Sequence, residues 1–206
     1  MVDFADERER EVDEWLARAI AGYLEGMRDL LGKFPQEEIA RAVEILHKAR
    51  LARRRVYILG NGGSAATAAH FVNDLNKLAS TPDKPRFRAM SLTDNVPLFS
   101  AWANDAGYEN ALAEPLANFV EAGDVVIAIS GSGNSPNVLK AVEVARAAGA
   151  ITLGLTGFDG GRLGEKVDCC ILVPSCSMPQ VEDAHMVLEH LISCALRDYP
   201  TGCERR

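Results

Sequence analysis

A chain of 206 residues suits one α/β domain with an added helical segment, and 48% hydrophobic content supplies a sizeable core. A net charge of −7 argues against a nucleic-acid-binding surface, and no apolar run approaches the length of a membrane span, so neither kind of partner is expected. Five cysteines (Cys169, Cys170, Cys176, Cys194, Cys203) form no C-x-x-C pair, and Met1 to Glu11 carry charges of both signs without an apolar signal core, which together predict reduced thiols in the cytoplasm.

Residues 3–31 read as one amphipathic helix, with Val12, Trp15, Leu16, Ala19, Ile20, Tyr23, Leu24, Met27, Leu30 and Leu31 at spacings of three and four. Gly32 and Pro35 end it. No neighbouring strand pattern offers to cover so wide a stripe, so packing against another subunit is expected. A second helix, about 36–52, buries Ile39, Val43 and Leu46, and its basic end (Lys48, Arg50, Arg53, Arg54, Arg55) suits a helix C-terminus.

Strand and helix patterns then alternate. Strands are predicted at 56–59, 87–92, 125–130, 151–156 and 169–174. Helices are predicted at about 63–79, 95–104, 108–121, 135–148, near 160–165, and at 179–197. Runs such as Val125–Ile129 are apolar on both faces, as in a central parallel sheet. The expected fold is an α/β, doubly wound, mainly parallel five-stranded sheet with an N-terminal helical extension. The expected division is 1–55 as helices for oligomerisation, 56–198 as the ligand-binding domain and 199–206 as a tail.

Two strand ends carry the candidate chemistry. Strand 56–59 runs into Gly60-Asn61-Gly62-Gly63-Ser64 and then into an Ala-rich helix. The glycines permit close backbone approach, and the helix start offers N–H groups and a positive dipole end to an anion. The stretch has neither the Gly-Lys-Ser/Thr of a P-loop nor the G-x-G-x-x-G of a dinucleotide fold. Strand 125–130 ends in Ser130-Gly131-Ser132-Gly133-Asn134-Ser135-Pro136, where three hydroxyls and a helix start can cradle a phosphate without a cationic side chain. Ser135 is placed to cap that helix, with Pro136 at its first position. A third break, Thr156-Gly157-Phe158-Asp159-Gly160-Gly161, is expected to shape the rim. His70 and Asp74 share a helix face four residues apart. On the last helix lie Glu182, His185, Glu189 and His190, and periodicity does not choose between Glu182 with His190 and His185 with Glu189.

These three turns, in this order and with Asn104-Asp105 between the first two, resemble the sugar-isomerase (SIS) phosphosugar-binding fold, which is flavodoxin-like, and among its members the phosphoheptose isomerases. The resemblance spans about residues 10–198. It implies conversion of sedoheptulose 7-phosphate to D-glycero-D-manno-heptose 7-phosphate by enediol proton transfer in a cytoplasmic homotetramer. It implies sugar-phosphate contacts from Asn61, Gly62, Gly63, Ser64, Asp74, Asn104, Asp105, Ser130, Gly131, Ser132, Ser135 and Glu182. It implies catalytic roles for Asp74, His190 and Glu182, and one zinc ion at His70, Asp74, Glu182 and His190. The chain departs from the family pattern by Asp74 for a glutamate, Glu182 for a glutamine and Gly131 for a threonine. Those departures keep a second reading open: a non-catalytic sugar-phosphate-binding regulator, such as the SIS protein that associates with a bacterial replication initiator.

Overall fold

A computed structural model describes residues 4–200, with side chains from Arg10 onward; Cys203 and the tail beyond Pro200 lie outside the described residues. The chain forms two compact units, the first ending at Phe34 and the second beginning at Pro35. The first unit is helix α1 (Phe4–Leu31), on which Val12, Trp15, Leu16, Ile20 and Leu24 are exposed.

The second unit begins with α2 (Gln36–Leu51), which the boundary expected after residue 55 had grouped with α1. Ile39, Ala42, Val43, Leu46 and Ala49 are buried. Arg50, read from sequence as a helix-end charge, is also buried. Its guanidinium donates to the carbonyls of Pro85, Ala79 and Leu196 and lies over the Phe87 ring. A buried cation satisfied by three carbonyls fixes the 80–85 loop and the end of the last helix to α2.

Five parallel strands, β1 (Val56–Leu59), β2 (Ala89–Ser91), β3 (Val125–Ser130), β4 (Ile151–Thr156) and β5 (Cys169–Leu172), lie in the order β2-β1-β3-β4-β5. All six residues of β3 are buried. Each such Val or Ile is worth about 1.5–3 kcal/mol of transfer free energy. Tyr57, Leu59, Val126 and Ala128 pack on Leu116, Val138, Val142 and Ala145 on one face. Those partners belong to α5 (Ala113–Ala117) and α6 (Pro136–Ala147). On the other side α3 (Gly63–Asn76) and α8 (Met178–Arg197) pack together, with α2 against α8. Helices α4 (Val96–Ala106) and α7 (Gly161–Lys166) complete the set. Among the described residues no helix is long and apolar enough to cross a membrane, and the four cysteines are unbridged.

The largest differences from expectation lie in three elements. The helix predicted over 108–121 is broken into a 3-10 turn, Tyr108–Asn110, and short α5, in which Pro115 lacks the N–H a longer helix needs. α3 stops at Asn76 rather than 79, because the Asn76 amide exchanges hydrogen bonds with the Ala89 backbone. β2 is shortened to three residues and pairs only with β1.

The chain leaves β1 for β2 on one side and continues from β3 to β4 and β5 on the other. The connections reverse between β1 and β3, where Leu59 pairs with Ala128. In open α/β sheets ligands bind beyond the C-terminal strand ends at such a point. The two glycine- and serine-rich turns leave adjacent strands there.

Candidate active site

The first turn is built on sterics. A side chain at Gly60 would put its Cβ 2.7 Å from Ser64 Cβ, Gly62 has φ +51°, and a Cβ on Gly63 would lie 2.7 Å from Glu182 Oε1. Asn61 exchanges amide hydrogen bonds with Asn137 on α6, and the Tyr108 hydroxyl donates to Asn61 Oδ1. Ser64 is buried in the first turn of α3.

In the second turn Ser130 is buried and its Oγ lies 3.2 Å from Ser135 Oγ. Ser135 holds the N-cap position of α6, but its side chain makes no capping bond and faces the Ser130 hydroxyl instead. Pro136 has no N–H, the Val138 N–H donates to Asn137 Oδ1 and the Leu139 N–H to Ser135 O, so in the first turn of α6 it is the Asn137 N–H that is left for another acceptor. Ser132 Oγ accepts from the Asn134 N–H. Gly131 packs under Met178, whose Sδ lies 2.5 Å from where a Cβ would stand, so the space of the family's threonine is filled from α8. The third turn supports the second: Gly157 N–H donates to Gly131 O, Leu163 N–H to Gly133 O, and Arg162 N–H to Asn134 Oδ1.

α8 crosses all three turns, with Met178 at Gly131, Val181 at Gly157 and Glu182 at Gly63. Two helical turns beyond Glu182, it meets α3 in a cluster. His70 and Asp74 from α3, and Glu189 and His190 from α8, bring one ligand atom each within 4.8 Å of one another. His70 Nδ1 lies 3.0 Å from Glu189 Oε1, and His190 Nε2 lies 3.7 Å from Asp74 Oδ2. The two imidazole rings meet edge to face. His190 Nδ1 is 3.0 Å from Met186 O, so a proton there satisfies the carbonyl and leaves the Nε2 lone pair facing the carboxylates.

Glu189 is fully buried and Asp74 nearly so. Asp74 Oδ1 accepts from Asn73 Nδ2, but Asp74 Oδ2 and both Glu189 oxygens have no aligned hydrogen-bond donor, the His70 contact being close without the geometry of a hydrogen bond. Burial first, and then the Asp74 charge beside it, push the Glu189 pKa up to about 8. Buried carboxylates without donors are costly unless a cation or a proton joins them. Two imidazole nitrogens and two carboxylates form a donor set suited to zinc, so the residues present fit that ion.

The structure thus joins His70, Asp74 and His190 as expected but corrects the fourth member of the group. Glu182, exposed beside Gly63, stands outside it, and Glu189 takes the place. Glu182 and Glu189 lie on nearly the same face of α8, about 20° apart, but about 10 Å apart along its axis; Glu182 stands at the height of Gly63, whereas Glu189 stands at the height of His70 and Asp74, on the buried stripe with Leu188 and Ile192. A carboxylate on that apolar stripe was the signal that could have found it. His185, its helical neighbour, is buried against Thr156 O, and burial holds its pKa down at about 4; it is a neutral structural histidine. Asn104 and Asp105 are exposed on the last turn of α4 and bonded to each other. Sequence reasoning missed Asn137 and Tyr108 as partners of Asn61.

Residues 22–157 match the SIS domain family. The chain is 38% identical to a phosphoheptose isomerase of Rhodospirillum rubrum over 78% of its own length and 85% of the relative's. It is 37% identical to one of Geotalea daltonii over 85% of this chain and 91% of that one. Among solved structures, a phosphoheptose isomerase from Neisseria gonorrhoeae superimposes with a TM-score of 0.80 at 26% identity, covering 90% of this chain and 98% of the other.

Proposed function

Because the chain belongs to the SIS domain family and, within it, to the phosphoheptose isomerases, we propose that it isomerises sedoheptulose 7-phosphate to D-glycero-D-manno-heptose 7-phosphate. The observation that carries this reading is the course of α8, which runs from the serine- and glycine-lined turns to a pocket of two imidazoles and two carboxylates.

Ser130, Ser132 and Ser135, with the Asn137 N–H at the start of α6, hold the phosphate. Asn61, Gly62, Gly63, Ser64, Gly131, Asn104 and Asp105 line the sugar. Between Gly63 and His70 helix α3 rises about 10 Å, so the sugar-lining first turn and the reacting end sit apart along an extended substrate. Asp74 takes the proton from the carbon next to the carbonyl and returns it to the adjacent carbon. His190 Nε2, facing Asp74, opens the sugar ring and moves the hydroxyl proton between the two oxygens of the enediol. Glu182, beside Gly63, is a second carboxylate for proton transfer near the sugar. His70, Asp74, Glu189 and His190 would hold a zinc ion, which supplies Lewis-acid polarisation of the carbonyl oxygen when bound; His190 Nε2 carries the proton only while it is free of that ion.

The subunits associate as a homotetramer through α1, a reading supported by its exposed Trp15, Ile20 and Leu24. The unbridged thiols support a cytoplasmic setting. The regulator reading is not favoured, since an adaptor has no use for two histidines gathered around buried carboxylates. Incubation with sedoheptulose 7-phosphate and detection of the aldose tests the assignment; light scattering tests the tetramer.

A further inference from the structure

Around Asn61 every hydrogen-bonding role is fixed from one backbone group outward. The Val138 N–H, which can only donate, lies 3.0 Å from Asn137 Oδ1, so the buried Asn137 amide has one orientation. Asn137 Oδ1 therefore accepts from Asn61 Nδ2 at 2.9 Å, and Asn137 Nδ2 donates to Asn61 Oδ1 at 2.8 Å. The Tyr108 hydroxyl donates to the same Asn61 oxygen at 3.0 Å. An amide oxygen has two lone pairs and an amide nitrogen two hydrogens. The Asn61 oxygen is thus saturated, and one N–H remains.

We infer that Asn137 and Tyr108 are positioning residues that turn Asn61 into a single-hydrogen donor, so that the Asn61 side chain can contact only an acceptor oxygen of the ligand. The inference rests on the reading of Asn61 as a sugar-phosphate contact. The same bonds tie three segments together: Asn61 after β1, Asn137 at the start of α6, and Tyr108 on the 3-10 turn that follows Asn104 and Asp105. The β1 turn and the phosphate-loop helix thereby keep a fixed separation, which a substrate gripped at one end and reacted at the other requires.

Asn137→Asp keeps the acceptor for Val138 but sets a carboxylate oxygen against Asn61 Oδ1. The Asn61 oxygen then meets a carboxylate oxygen in either orientation of its amide, so the orientation that presents a single N–H to the ligand is no longer fixed. Tyr108→Phe removes one donor from an exposed side chain and leaves the fold intact. Each variant is compared on the native and on the Asn61→Ala background by kcat and KM for sedoheptulose 7-phosphate. The ligand-free proteins are compared by NMR of the Asn61 side-chain amide. The expected result is a loss in kcat/KM of about three- to tenfold for Tyr108→Phe and more for Asn137→Asp. Both losses vanish once Asn61 is alanine, and both variants move the Asn61 amide signals. Equal losses on the two backgrounds, or unmoved Asn61 signals, overturn the inference. If the native protein lacks turnover, the substrate reading fails, and the amide signals alone still decide this one.

Discussion

Replacing Glu189 by glutamine removes a charge while keeping the shape, and the consequence for stability follows from the burial of that group. In the metal-free fold its pKa stands at about 8 against an ordinary value of 4.5. Between those values the folded chain keeps a proton that the unfolded chain has released, so stability falls as pH rises through the window. Across roughly 3.5 pH units at about 1.36 kcal/mol each, the loss has a ceiling of about 5 kcal/mol. His70 and His190 are partly exposed at the mouth of the cluster and admit water, which places the observable loss at roughly 2–5 kcal/mol. Asp74, His70 and His190 also face the group and are present in both proteins, so the difference between native and variant is the quantity to read. Urea unfolding in chelator, at matched protein concentration, is followed from pH 4.5 to pH 9. Glu189→Gln is expected to match the native protein near pH 4.5 and to exceed it by that margin above pH 8. Parallel stability curves for the two proteins would refute the placement of a protonated carboxyl in this pocket.

The same substitution has the opposite effect on the metal. Glu189→Gln is expected to lower zinc affinity at least about tenfold by calorimetry, and binding to the native protein below pH 8 should release protons to the buffer. Asp74→Asn and His190→Ala are each expected to abolish turnover with unchanged circular dichroism; near-native rates in both would remove the roles assigned to them. Gly133→Ala places a Cβ 2.0 Å from Gly160 O at φ +64°. It should destabilise the fold by about 2–4 kcal/mol in thermal or urea unfolding and weaken sugar-phosphate binding.

The five strands and both ligand turns were legible because continuous apolar runs ending in Gly/Ser clusters have few other solutions in a parallel sheet. The order β2-β1-β3-β4-β5 was expected only as doubly wound, yet it is this order that sets Gly60 and Ser130 on adjacent strands. Helix periodicity placed His70 with Asp74 correctly, since both lie on one element. It could not settle α8, where the choice among Glu182, His185, Glu189 and His190 depends on which face, and which height along it, meets α3, a tertiary fact. The family pattern pointed to position 182; the structure instead sets a buried carboxylate at 189 against the shorter Asp74. Arg50 and the Asn61–Asn137–Tyr108 bonds were illegible for a related reason. Their partners lie 29 to 146 residues away and include backbone carbonyls, which carry no sequence signal.

The reaction itself is the most direct test. Metal-replete, full-length protein is mixed with sedoheptulose 7-phosphate and the sugar followed by carbon-13 NMR. A new aldose 7-phosphate, formed by the native protein and not by Asp74→Asn, is the predicted result. A substrate that stays wholly a ketose with the native protein, while still bound at the serine turn, would contradict the account.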